Sequence, residues 1–132
     1  MAKVTQTQEL KVKLGDKVGI GASLFGMLRE ADVNVVASSC YQIESEAYFS
    51  IIPDRLEEAR KVLGKSKLNL ELSDVLLVEM PNKTGAFAGL LQEISDIGVN
   101  VTSAYATTTV KNSALAVLKT TDDAKVVDML AD

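Results

Sequence analysis

The sequence offers few side chains that could carry out catalysis. It contains no histidine and a single cysteine, Cys40. Histidine is the commonest general base and metal ligand near neutral pH, and a cysteine without an activating base is a poor nucleophile. We therefore expect Cys40 to be a small buried residue. The Gly19-Ile20-Gly21 segment begins like a dinucleotide-binding motif but does not complete it. The sequence predicts no catalytic residues, no metal site, no cofactor and hence no enzyme.

A second kind of chemistry, the binding of a small polar molecule, is favoured by residues 81–91. These read Pro-Asn-Lys-Thr-Gly-Ala-Phe-Ala-Gly-Leu-Leu, a polar loop followed by a helix with apolar residues at helical spacing. We expect the Thr84 hydroxyl to cap this helix and Gly85 to allow a close turn. Gly98 is predicted to end the helix in the left-handed conformation. The loop is the best candidate for a binding site.

The same pattern occurs twice in the chain. A shift of 66 positions places Leu10, Val12, Lys17 and Gly19 on Leu76, Val78, Lys83 and Gly85, and Val33-Asn34-Val35 on Val99-Asn100-Val101. A repeated unit this long is a folding domain in its own right. We therefore predict two domains, 1–73 and 74–132, each of a size at which isolated domains are marginally stable.

Each copy reads as strand-helix-strand-strand-helix-strand, the ferredoxin-like order of the α+β class. This order predicts an antiparallel sheet with both helices on one face. The predicted strands are 10–14, 34–43, 47–52, 67–72, 75–80, 99–109 and 113–119, and the predicted helices are 20–31, 54–63, 85–97 and 122–131. A hairpin turn is expected at 44–46 and a turn between the copies at Ser73-Asp74. Asp54 with Glu57, and Thr120 with Asp123, have the spacing of helix capping pairs.

The second copy lacks a predicted fourth strand after its last helix. Residues 2–6 match the fourth strand of the first copy under the same shift, so one hypothesis is that they form the missing edge strand of the second copy. The alternative is a frayed N-terminus and a three-stranded second sheet.

Composition and charge limit the binding partners and the cellular compartment that we expect for this protein. The net charge is −4 and the sequence pI is about 4.9, without a cluster of basic residues, so nucleic acid is not an expected partner. Charged residues in the first twenty positions argue against a signal peptide, and no apolar run is long enough to span a membrane. One cysteine fits a reducing compartment. These features predict a cytoplasmic protein that contacts neither nucleic acid nor membrane.

The motif Val-Glu-Met-Pro-Asn-Lys-Thr-Gly-Ala-Phe-Ala-Gly-Leu-Leu, followed by Ile-Gly-Val-Asn-Val, resembles the ACT domain, and the resemblance extends over nearly the whole chain as a tandem pair. The family comprises small ferredoxin-like modules that bind amino acids and regulate metabolic enzymes. The resemblance implies a ligand site where two such units meet, between the loop before the first helix of one and the second strand of the other. Met80 and Leu14 stand where a serine-binding member has a histidine, and Gly15 and Asp16 replace the Pro and Asn of the motif in the first copy.

The resemblance assigns ligand contact to two sets of residues. In the second copy these are Asn82, Lys83, Thr84, Gly85, Ala86 and Asn100, and in the first they are Asp16, Gly19 and Asn34. Physical chemistry supports the location, because a helix start attracts a carboxylate and an asparagine can donate to a carboxylate and accept from an ammonium group.

Each assignment has a structural alternative. Asn82 is also a common turn residue, the two strand-start asparagines could bond to backbone, and Asp16 could be an ordinary turn or cap residue. The preferred interpretation is a regulatory protein that senses an amino acid and modulates a partner enzyme, as a homodimer. The alternative is a structural subunit, without a ligand, that dimerises or docks on an enzyme.

Overall fold

A computed structural model describes residues 2–66, 68–108 and 112–131. The chain divides into two compact units, one comprising Met1–Thr7 with Asp74–Asp132 and the other Gln8–Ser73. The strands are β1 (Lys3–Gly15), β2 (Val35–Ile43), β3 (Glu46–Pro53), β4 (Leu70–Pro81), β5 (Val101–Thr108) and β6 (Ser113–Thr120). The helices are α1 (Ile20–Glu30), α2 (Leu56–Lys65), α3 (Ala86–Asp96) and α4 (Asp123–Leu130).

In the Gln8–Ser73 unit, β3 pairs antiparallel with both β1 and β2. Alternate residues of a strand face the same side of a sheet, and here Leu10, Val12, Phe49 and Ile51 form one buried layer. Buried residues of α1 and α2 complete the same cluster: Leu24, Leu28, Ala59 and Leu63. Both helices therefore cover one face of this sheet.

The other unit repeats this plan. Strand β6 pairs antiparallel with β4 and β5, and Leu76, Val78, Ala116 and Leu118 form the buried layer. Helices α3 and α4 contribute Leu90, Ile94 and Val126 to it. The chain has the predicted ferredoxin-like α+β fold in two copies. Among the described residues, no helix is long and apolar enough to cross a membrane.

The two cores use an aromatic ring in opposite places. In one core Phe49 projects from β3, and a Cβ added at Gly21 of α1 would lie 3.7 Å from its Cε1 atom. At the matching positions of the other unit, Phe87 lies on the helix and the strand carries Ala116, both in the second core cluster. Protein interiors are close-packed, so a large side chain on one element is matched by a small one on the element that faces it. The large aromatic side chain lies on the strand in one copy and on the helix in the other.

Strands β1 and β4 are longer than predicted. Residues 3–7 run directly into the strand predicted at 10–14, and β4 passes through Ser73 and Asp74 without the predicted turn. The boundaries between the units, after Thr7 and after Ser73, fall within these two strands. Ala2 and Val4 pack against the core that contains Leu76. The predicted strand start at Lys67 and strand end at Thr109 lie outside the described residues.

The helix starts differ from the predicted capping pattern. The N-cap of α3 is Gly85 rather than Thr84, so the N-cap position has no side-chain bond to the first amides. The N-cap of α2 is Arg55, also without a side-chain bond, so the Asp54–Glu57 capping pair is wrong. In α4 the capping side chain is that of Asp122, which accepts from the Lys125 N–H at 3.1 Å. The predicted pair does not cap this helix, because the Thr120 hydroxyl donates to the Asp123 carboxylate instead. Gly98 does adopt the predicted left-handed conformation, with φ of 76°.

Candidate functional site

The loop between β4 and α3 is held by backbone hydrogen bonds. The Asn82 N–H donates to the Asn112 carbonyl at 2.8 Å, the Lys83 N–H to the Pro81 carbonyl at 3.0 Å, and the Ala86 N–H to the Lys83 carbonyl at 3.1 Å. Gly85 turns the chain into the helix with φ of 85°, a conformation that favours glycine. The first turn of α3 contains no acidic residue. The loop therefore presents a helix start whose positive potential is not offset by a local carboxylate or a capping side chain.

The loop between β1 and α1 has the same geometry. The Asp16 N–H donates to the Ser45 carbonyl at 2.8 Å, and the Ile20 N–H to the Lys17 carbonyl at 3.1 Å. Gly19 is the N-cap, with φ of 87° and no side-chain bond. Asp16 therefore does not cap α1, although its backbone fixes the loop, and its side chain is exposed.

A cavity of about 420 Å³ adjoins the β4–α3 loop, within the unit that comprises Met1–Thr7 and Asp74–Asp132. Four of the predicted residues line it: Lys83, Thr84, Gly85 and Ala86. Gly89, Leu90 and Glu93 continue the lining along α3, and Met129 and Leu130 of α4 form another wall. This volume falls within the usual range for small-molecule pockets, roughly 300–1,000 Å³.

Glu93 is the residue of this cavity that sequence reasoning missed. Residues 86, 89, 90 and 93 lie at the i, i+3, i+4 and i+7 positions that share one helix face, so Ala86 could have pointed to Glu93. Glu93 follows Ala86 by about 10 Å along the helix axis, at 1.5 Å per residue. Its carboxylate is therefore separated from the helix start, yet it lines the same cavity as Lys83. The cavity thus contains groups of both charges.

Asn82 faces a different, smaller cavity of about 140 Å³. Lys83 and Ala86 line this cavity too, together with Thr107 and Thr108 at the end of β5. Asn82 therefore lies beside the larger cavity rather than in its lining.

Asn100 is not near the loop within its unit. It precedes β5, whereas the loop lies beside the other end of that strand, about 23 Å away at roughly 3.3 Å per residue. The Asn100 N–H donates to the Thr121 hydroxyl at 3.0 Å, and its carbonyl accepts from the Thr121 N–H at 2.9 Å. The structure therefore does not bring Asn82 and Asn100 of one unit together.

Asn34 has the matching environment. Its N–H donates to Asp54 Oδ1 at 2.9 Å, and its carbonyl accepts from the Asp54 N–H at 2.9 Å. This bond explains why Asp54 does not cap α2. The strand-start asparagines are thus clamped through their backbones, while their side chains remain exposed. Sequence reasoning missed the clamp because Asp54 and Thr121 differ in type.

Two further predictions concern reactive groups. Cys40 is exposed on β2 rather than buried, because the outer strand of the Gln8–Ser73 sheet has little covering it at this position. Within residues 2–66, 68–108 and 112–131, no group of three or more Cys, Asp or Glu side chains is placed to hold a metal ion.

Comparison with known proteins agrees with this fold. A family model described as an ACT domain pair matches residues 5–131, so the chain belongs to that family. As an ACT domain pair it is a regulatory module and not an enzyme. No curated protein sequence matches it significantly.

Several solved structures share the fold. A protein from Bacteroides thetaiotaomicron superposes with a TM-score of 0.90 at 22% identity, covering 97% of this chain and 88% of its own. The ligand-free regulatory subunit of aspartate kinase from Thermus thermophilus gives a TM-score of 0.70 at 14% identity, with coverage of 98% and 95%. The corresponding Thermus flavus subunit gives 0.64 at 15%, with coverage of 98% and 90%.

Proposed function

We propose that this chain senses a free amino acid in the cavity at the start of α3 and modulates a metabolic enzyme. The observation that carries the proposal is the lining of that cavity: four residues of the β4–α3 loop, an uncapped helix start and Glu93 border one 420 Å³ space. The amides of α3 and the Lys83 ammonium group would receive the ligand carboxylate, and Glu93 would pair with its ammonium group.

The proposed partner is an enzyme of amino-acid metabolism. Support comes from the similar structures, two of which are regulatory subunits of aspartate kinase. A regulatory module acts by binding its ligand more tightly in one state than in another. We propose that the chain works in the cytoplasm as a homodimer, and that amino-acid binding changes its association with the enzyme.

The test is a thermal-shift screen of the purified chain against the twenty amino acids, with Lys83→Met as the disabling variant. Lys17→Met is the matched control, because Lys17 occupies the same position in the other loop. A ligand at 100 times its Kd stabilises the native state by about 2.7 kcal/mol. One amino acid should raise the melting temperature of the wild type and of Lys17→Met, but not of Lys83→Met. Equal shifts in all three would refute the placement of the site.

The alternative is a docking subunit that needs no ligand, and one observation favours it. The most exposed large apolar side chains among the described residues all belong to the Gln8–Ser73 unit: Val18, Val36, Tyr41, Ile43 and Leu72. Val18, at the position that matches Thr84, is fully exposed. If no amino acid shifts the melting curve but the chain co-purifies with an enzyme, and Val18→Ser abolishes that association, the docking function is the correct one.

A further inference from the structure

A row of three side chains crosses the sheet of the Gln8–Ser73 unit on the face opposite its core. Lys13, Tyr48 and Tyr41 are paired in register across β1, β3 and β2. The tyrosine rings stack with centroids 5.3 Å apart and planes 12° from parallel. Lys13 Nζ lies 5.9 Å from the centroid of Tyr48. This row, the aromatic platform, is a stacked pair of tyrosine rings with a cation beside Tyr48.

The platform borders a cavity of about 210 Å³ within the same unit. Lys11, Ser50, Asn69 and Glu71 also line this cavity. Two lysines against one glutamate leave the lining with net positive charge. Tyr41 is 52% exposed, so the platform is accessible to a molecule from solution.

The duplicated unit shows that the fold does not require this platform. At the matching positions β4, β6 and β5 carry Glu79, Leu115 and Thr107, which are paired in the same register. That row has neither an aromatic ring nor a positive charge. The tyrosines and Lys13 are therefore properties of one unit rather than conditions for forming the sheet.

We propose that this platform binds a small planar aromatic ring that carries an anionic group. The ring would lie across the edges of the stacked tyrosines, since edge-to-face aromatic pairs attract beyond their burial of apolar area. The anionic group would pair with Lys13 or Lys11, whose side chains share this face of β1. The site lies in the other unit from the proposed amino-acid cavity and does not depend on it.

The experiment uses the full chain and three probes, with binding followed by NMR shifts of the β2 and β3 amides. Benzoate has both features of the proposed ligand, cyclohexanecarboxylate keeps the charge without the aromatic ring, and benzylamine keeps the ring with the opposite charge. Benzoate should shift the amides near Tyr41 and Tyr48 at millimolar concentration, and the other two probes should bind at least about tenfold more weakly.

The variants come from the sister unit. Tyr41→Thr and Lys13→Glu introduce the residues that the other sheet tolerates, and each should weaken benzoate binding about tenfold. Lys13→Gln should have a smaller effect of the same sign. Thr107→Ala, at the matching position of the other sheet, should have none.

Three results would overturn the proposal. The first is equal binding of benzoate and cyclohexanecarboxylate, and the second is unchanged benzoate binding by Tyr41→Thr when its spectrum is that of a folded protein. The third is a set of platform shifts that follows protein concentration instead of benzoate, which would show that a second copy of the chain covers the tyrosines.

Discussion

Replacing Gly85 and Gly89 with alanine should change stability in opposite directions, although the residues are only four positions apart. Gly85 has φ of 85°, and an added Cβ would meet no atom within 4 Å. The cost of Gly85→Ala is therefore that of holding an L-residue in the left-handed region, about 1–2 kcal/mol. No steric clash contributes to it.

Gly89 provides the matched control within α3. It has ordinary helical geometry, and an added Cβ would likewise meet no atom within 4 Å. Glycine inside a helix is less favourable than alanine by about 0.5–1 kcal/mol, so Gly89→Ala should stabilise the chain by that amount. The two variants should then differ by about 1.5–3 kcal/mol in the free energy of unfolding.

Urea unfolding followed by circular dichroism measures both variants. The midpoint should fall for Gly85→Ala and rise for Gly89→Ala, with unchanged dependence on urea because neither variant alters the surface exposed on unfolding. Midpoints that move in the same direction would refute the assignment of Gly85 as a strained N-cap. Gly89 also borders the 420 Å³ cavity, so an amino acid that stabilises the wild type should stabilise Gly89→Ala less.

Three further perturbations test other parts of the fold. Asp54→Ala and Thr121→Val each remove the side-chain acceptor of a strand-start asparagine N–H and should lower the free energy of unfolding by about 0.5–1.5 kcal/mol. The amide hydrogen of Asn34 or Asn100, respectively, should then exchange faster with solvent. Unchanged exchange would contradict these hydrogen bonds. Deleting residues 2–7 removes two side chains from the second core and should cost at least about 2 kcal/mol, whereas an unchanged melting curve would mean that these residues are frayed. Phe49→Ala should cost about 3–5 kcal/mol, and adding Gly21→Phe should recover part of it in a double-mutant cycle; no recovery would mean that the two cores are not interchangeable.

The elements were predictable from the sequence because their signals are local. The apolar spacing of Leu24 and Leu28, and of Leu90 and Ile94, identified the helix faces that are buried. The turn at Glu44 and Ser45 followed from the charged residues between two strands. The spacing of apolar residues identifies the apolar face of a helix or strand, and that face is the one that becomes buried.

The errors arose where a residue had two possible hydrogen-bond partners. Asp54 has the type and spacing of a helix cap, but its carboxylate accepts from the Asn34 N–H, twenty positions away. Thr84 could cap α3, but Gly85 takes the N-cap position through its backbone conformation alone. The polar residues at Ser73-Asp74 suggested a turn, yet they lie within β4, where residues 70–74 are exposed or half-buried and polar side chains therefore remain in contact with water.

The candidate site was predictable only in part. The resemblance supplied the loop, and Lys83, Thr84, Gly85 and Ala86 do line one cavity. It could not supply Glu93, which joins the cavity through helix geometry, nor could it show that Asn82 borders a separate space. Which side chains share a cavity depends on neighbouring elements, and a motif does not contain that information.

The division of β1 between the units has a consequence for synthesis on the ribosome. Residues 2–7 leave the ribosome before the strands and helices with which they cluster, since those elements are encoded from position 74 onward. The Gln8–Ser73 unit can form its own helices and hairpin before residues 74 onward, with which residues 2–7 pack, have been synthesised. Residues 2–7 are therefore made before residues 8–73 but reach their folded position after them, and a chaperone that binds nascent apolar segments would find Val4 accessible while residues 8–73 are synthesised.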